Sequence, residues 1–226
     1  MKRFSNWVTV SIVGALLFIA IVSGTIYWQS QQNRTEITSV SKFDKIFTKE
    51  IDQVTKLGTM RALRDVYIRN GDIEVRVWRG FGLSPTEGVF LKRTNDKWSG
   101  TRVTANYIED AKLIEPDVEK LGTPASDWPF FWDAIVGKGL LAFPTTPEND
   151  CDTRGLDGTL YFVEINQNGT YRNYQYHEYY YDCRESKQMT EIGEIIASEF
   201  YSGQEQCKDD KWFACSKQRK TPLANR

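Results

Sequence analysis

The chain has 226 residues, with 29 Lys and Arg set against 30 Asp and Glu, and aromatic residues make up 13% of it. A net charge of −1 leaves no basic excess, which argues against a nucleic-acid protein with its need for a basic face. The aromatic content is enough to build a core, and the length left after the N-terminal segment fits one domain.

The first element is an uncharged run at residues 7–28, WVTVSIVGALLFIAIVSGTIYW. At about 1.5 Å per helical residue it reaches about 33 Å, enough to cross a hydrocarbon core of about 30 Å. Trp7 lies at one end and Tyr27 and Trp28 at the other, where indole and phenol rings suit the headgroup level. A cleaved signal is the rival reading, but its apolar region is usually about 7–15 residues and ends in small residues at the cut. Here the run is longer and no A-x-A site follows. Lys2 and Arg3 precede it without an acid, while the first base on the far side is Arg34, followed by Glu36. Positive-inside then puts the N-terminus in the cytoplasm and the rest outside. The organisation read from this is a cytoplasmic tip and single transmembrane anchor at 1–28 and a juxtamembrane stalk at 29–40. An extracytoplasmic α+β domain at 41–203 and a polar basic tail at 204–226 follow. The expected location is the inner (cytoplasmic) membrane, single-pass.

Ser41 is placed to cap a helix that carries Phe43, Ile46, Phe47, Ile51, Val54 and Leu57 on one side, with Gly58 to end it. Strand-like runs come next. Ile73, Val75 and Val77 alternate with Glu74, Arg76 and Trp78, and the runs at 89–94 and 98–104 join around Asn95-Asp96. This reads as an antiparallel meander, with Gly80–Gly88 as a loop rich in turn residues. Residues 107–124 are charged and ambiguous. Asp127 looks like the cap of a helix with Pro129 in its first turn, running through Phe130, Phe131, Trp132, Ile135 and Val136, with Gly137 and Gly139 to end it. The segment 160–177 reads as a hairpin about Asn168-Gly169, the favoured type I′ dipeptide. Tyr161, Val163 and Ile165 then share the core face with Arg172, Tyr174 and Tyr176, and Phe162, Glu164, Asn173, Gln175 and His177 form the other face. A helix from about Ser186 to Phe200 closes the domain, with Met189, Ile192, Ile195, Ile196 and Phe200 on one side. The fold class expected is α+β: an N-terminal transmembrane helix, then an antiparallel sheet packed with helices.

Four cysteines, Cys151, Cys183, Cys207 and Cys215, all fall in the part read as exported. They form no C-x-x-C, and His177 is the only histidine, which disfavours zinc. In an oxidising compartment disulfides are the default. Cys151 and Cys183 are nearly symmetric about the 168–169 turn, so the expected pairs are Cys151–Cys183 and Cys207–Cys215.

Residues 155–171, GLDGTLYFVEINQNGTY, resemble a recurring block in an uncharacterised family of small bacterial envelope proteins. The shared skeleton is G-L-D-G, an aromatic, a Glu three residues on, then Gly and Tyr. Phe131-Trp132 and Leu141–Pro144 also fit, and the likeness extends over roughly residues 61–201. The chain departs where that block continues with an R-W-S-P-like segment and has Asn173-Tyr174-Gln175-Tyr176-His177 instead. The resemblance implies a fold and an exported location and supplies no activity. It also discounts the sequons at Asn33 and Asn168.

Glu148, Asp150, Asp152 and Asp157 crowd one loop, but Thr153 and Arg154 occupy positions that break the EF-hand spacing. No metal or cofactor is expected. Asp157 and Glu164 are the only candidate catalytic acids, able to act as a glycosidase pair if both entered one cleft. No G-x-S-x-G accompanies His177, so a nucleophile system has no support. Tyr171, Tyr174, Tyr176, Tyr179, Tyr180 and Tyr181 form an unusual cluster, and Tyr179–Tyr181 are the candidate binding surface because three consecutive rings cannot all face inward. The expected function is a binding or interaction module of the bacterial envelope, with an envelope protein or glycan as partner. An envelope glycan hydrolase using Asp157 and Glu164 is the alternative.

Overall fold

The computed structural model describes residues 42–81, 84–105, 107–108, 112–144, 160–177 and 183–201, all within one compact unit spanning 37–226. The segment read as an anchor, the stalk and the tail lie outside the described residues. Among the described residues no helix is long and apolar enough to cross a membrane.

The described fold is α+β. Helix α1 (Lys42–Leu57) leads through a short 3-10 turn (Leu63–Asp65) into strands β1 (Ile73–Phe81), β2 (Ser84–Thr94) and β3 (Lys97–Ala105). Two short strands, β4 (Tyr107–Ile108) and β5 (Lys112–Leu113), pair with each other, and β6 (Asp117–Leu121) follows. Then come α2 (Trp128–Gly137), the hairpin β7 (Leu160–Gln167) and β8 (Thr170–His177), and α3 (Arg184–Tyr201). The sheet has six antiparallel strands in the order β6-β3-β2-β1-β7-β8, so the late hairpin docks beside the first strand.

The meander and the hairpin form where the alternation placed them. Asn95 and Asp96 both have positive φ (50° and 59°), as do Asn168 and Gly169 (53° and 74°), so both hairpins close through primed turns that match strand twist. The expected loop Gly80–Gly88 is mostly strand instead. β1 runs on to Phe81 and β2 starts at Ser84, with a register shift between Arg79 and Phe81. Gly80 has φ +91° and lies so close to the Pro85 carbonyl that no Cβ would fit, and this local irregularity lets the two strands continue almost to their link.

One sheet face carries the main core: Val75, Val77, Leu91, Val163, Tyr174 and Tyr176 pack with Phe131 and Ile135 of α2 and with Met189, Ile192 and Ile196 of α3. Arg172 belongs to this face because its guanidinium donates to the carbonyls of Phe143 (2.8 Å) and Leu141, while the hydroxyls of Tyr174 and Tyr176 donate to those of Leu140 (2.7 Å) and Pro144 (3.2 Å). β8 thus holds down the chain that leaves α2.

The opposite face of the hairpin, expected to be an outer face, is covered. Phe162, Glu164, Asn166 and Gln175 are all buried. Trp78, Phe90, Val103 and Phe162 pack there against Ile51 and Val54 of α1, and residues 61–66 cross the β7–β8 end. The sheet is therefore the middle of three layers. Strict alternation reads as one wet face, but here Glu164 and Asn166 of the second face are buried and hydrogen-bonded.

Candidate functional site

A buried polar cluster lies on that second face. Its centre is Glu164 of β7, 2% exposed. Trp78 Nε1 of β1 donates to its Oε2 at 2.8 Å, and the Tyr171 hydroxyl of β8 donates to its Oε1 at 3.0 Å. Asn173 Nδ2 in turn donates to the Tyr171 oxygen at 3.3 Å. Beside it Arg76 donates twice to Glu74 Oε1 (2.9 and 2.8 Å) and once to the Arg61 carbonyl (2.9 Å), while its guanidinium lies over the Phe90 ring. Asn166 Nδ2 donates to the carbonyls of Leu63 (3.0 Å) and Val66 (2.8 Å), which fastens the crossing segment to the sheet.

Burial pushes the Glu164 carboxyl above its usual range, and Arg76, Trp78, Tyr171 and Arg64 pull it back. Burial and the neighbouring Glu164 raise the Tyr171 hydroxyl, which keeps it a donor at every physiological pH. The result is a carboxyl group held by two donors, with Arg76 and Arg64 opposing part of the cost of its burial. This geometry orients a hairpin; it presents no oxygen to a substrate. Glu164 and Tyr171 bond to each other across the turn that Gly169 permits.

Of the other candidates, His177 is where the alternation put it, at the end of β8 opposite Leu160, and burial lowers its pKa. Tyr171, Tyr174 and Tyr176 are buried. Cys183 is 2% exposed and disulfide-bonded, and its sulfur accepts the Ser186 N–H at 3.3 Å. It thereby caps α3, which starts at Arg184 rather than at the expected Ser186. Asp157, Tyr179, Tyr180, Tyr181, Cys151, Cys207 and Cys215, and the acidic loop at 148–157, lie outside the described residues. Among the described residues no three His, Cys, Asp or Glu gather as a metal site.

Sequence reasoning passed over a tryptophan cluster. Trp98 of β3 stacks on Trp128 (centroids 5.7 Å apart, planes 6° apart) and meets Trp132 at 4.7 Å, with Arg93 5.5 Å from its ring centroid. All three indoles are partly buried at the rim of the main core, beside Leu121 and Phe200. Trp128 sits so close to Gly100 that a Cβ there would lie 3.1 Å from the ring. The signal available was the helical spacing of 128 and 132, one turn apart. Asp127 holds this end of α2 in place: its carboxylate accepts the Phe130 N–H at 2.9 Å, at a φ of 80° and ψ of 166°. The buried Glu199 of α3 fixes the preceding loop by accepting the Ser126 N–H at 2.8 Å. A further depression of about 420 Å³ opens between α1 and residues 59–64, beside the Asp52–Arg64 pair at 2.7 Å. Tyr67 (69%) and Phe130 (45%) are the most exposed described aromatics.

No protein-family model, no curated protein and no solved structure matches this chain.

Proposed function

We propose that the chain is a membrane-tethered binding module of the bacterial envelope, with its α+β domain outside the cytoplasm. The observation that carries the non-enzymatic reading is Glu164, the one candidate acid among the described residues: it is buried and both oxygens are held from within. The uncharged run at 7–28, the flanking charges and the resemblance of residues 155–171 support the location. Disulfides Cys151–Cys183 and Cys207–Cys215 belong to the same reading. The contact we assign to the partner, an envelope protein or glycan, is Tyr179–Tyr181, as read from the sequence; Tyr67 and Phe130 are separate exposed aromatics among the described residues.

The test is photocrosslinking in living cells from Tyr67, Phe130 and Tyr180 in turn, followed by identification of the adducts. A reproducible adduct to one envelope component is expected. Release of sugar from envelope glycan by the purified chain, abolished by Glu164→Gln in a folded variant, would overturn the reading in favour of a hydrolase. A reporter fused at Arg226 that is active only in the cytoplasm would overturn the topology.

A further inference from the structure

β6 is the outermost strand of the sheet, and among the described residues it pairs with β3 alone. Residues 117–120 are all exposed, and Leu121 is half-buried. In an edge strand the N–H and C=O groups of alternate residues point away from the sheet, ready to pair with another strand.

The two faces of this edge differ. Val118 stands opposite Val103, on the face where Val103 packs with Ile51 and Val54 of α1, yet Val118 is 46% exposed. Leu57 at the end of α1 and Ile114 are exposed as well. All three lie within two residues of the place where Gly58 meets Pro116, so close that a Cβ on Gly58 would fall 2.9 Å from the proline ring. This corner gathers three of the five large hydrophobics exposed among the described residues, whereas an edge blunted only by charge would carry none. The other face is acidic. Asp117 and Glu119 stand opposite Thr104 and Arg102, and Glu115 precedes them, also exposed. Arg102 lies 3.9 Å from Glu119 but is held closer, at 3.0 Å, by the buried Glu87.

The charge pattern decides between occupants. A second copy would add its own β6 about a two-fold axis normal to the sheet. Centred on Val118, that register sets Asp117 against Glu119 twice; centred on Asp117, Glu119 or Lys120, it sets each against itself. Like charges directly opposite one another are destabilising. A strand with basic residues opposite Asp117 and Glu119 has no such conflict.

We propose that β6 is a docking edge for an extended segment of another protein, one that alternates basic and apolar residues and adds antiparallel to β6. Main-chain hydrogen bonds hold the segment, its basic side chains meet Asp117 and Glu119, and its apolar side chains cover Val118 beside Leu57 and Ile114. β6 and β8 are opposite edges of the sheet, so this docking does not depend on the Tyr179–Tyr181 contact.

The experiment uses the full chain purified in mild detergent and a synthetic peptide of alternating Lys and Val, with a peptide of alternating Glu and Val as control. With saturating Lys-Val peptide, amide hydrogen exchange is expected to slow at least about threefold at 117–121 and to stay unchanged at 170–177, the other edge. The double variant Asp117→Asn, Glu119→Gln changes exposed side chains only and is expected to weaken the peptide at least about threefold by fluorescence anisotropy. Absence of binding, equal binding of the Glu-Val peptide, or slowed exchange elsewhere than at 117–121 would overturn the proposal. Protection of 117–121 that grows with protein concentration in the absence of peptide would assign the edge to a second copy and overturn it as well.

Discussion

Replacing Tyr171 with Phe removes one oxygen from a side chain that is 8% exposed and leaves the ring in place. That oxygen donates to Glu164 Oε1 at 3.0 Å and accepts from Asn173 Nδ2 at 3.3 Å. A hydrogen bond to a charged group contributes about 1.5–3 kcal/mol, and leaving a buried carboxylate oxygen without its donor costs at least as much. The second bond, long and partly exposed, adds at most about 0.5–1 kcal/mol. Tyr171→Phe should therefore cost about 2–4 kcal/mol, and Tm should fall by about 5–15 °C for a domain of this size. The assay is urea and thermal unfolding by circular dichroism, run on Tyr171→Phe alone and on Tyr171→Phe in a Glu164→Gln background. The loss should shrink in that background, because no charge remains to be stranded. A loss under about 0.5 kcal/mol, or the same loss in both backgrounds, would show that the hydroxyl is not holding Glu164 and refute the reasoning.

The pH dependence of stability should have two opposing parts. Glu164 has a folded pKa raised above its unfolded value, so its contribution is fully present below the unfolded value near 4.5 and is lost as pH rises through the folded one. Glu164→Gln should remove that alkaline-side loss in urea titrations. His177 has a folded pKa lowered by burial, so its contribution is present above about 6.5 and is lost as pH falls through the folded value. His177→Gln should flatten the fall in stability as pH drops below about 6.5. At the cap of α2, Asp127→Ala loses the bond to Phe130 N–H and keeps the left-handed backbone, whereas Asp127→Gly loses the bond and relieves it. The glycine variant should be the more stable of the two by about 1 kcal/mol or more by chemical unfolding, and equal stabilities would count against strain at this residue. Gly100→Val would drive a Cβ against Leu121 (3.0 Å) and Trp128 (3.1 Å). It should cost about 1–3 kcal/mol and weaken the tryptophan couplet in near-ultraviolet circular dichroism; an unchanged couplet would place Trp128 elsewhere. Asn166→Asp would turn a donor toward the carbonyls of Leu63 and Val66 into an acceptor. Amide exchange at 61–66 should then speed up at least about tenfold, and unchanged protection would mean that other contacts hold the segment.

Much of this fold follows from local rules. The two-residue alternation in β1 and β7, the Asn-Asp and Asn-Gly turns and the Asp127 cap act over a few residues, and each element formed about where its pattern put it. The pairing of Tyr161, Val163 and Ile165 with Arg172, Tyr174 and Tyr176 was also legible, because a two-residue turn sets the register of everything beyond it. What alternation does not encode is whether the second face of a strand meets water or another layer. Glu74, Arg76, Glu164 and Gln175 look like solvent residues in the sequence, and only the packing of α1 and residues 61–66 onto that face buries them. The order β6-β3-β2-β1-β7-β8 is likewise a tertiary result, since nothing local tells β7 to pair with β1 across 86 residues rather than with its sequence neighbours. The same is true of the site. Glu164 reads alone as a candidate acid, and becomes a hairpin anchor once Trp78 and Tyr171 are brought to its two oxygens by strands that pair at long range.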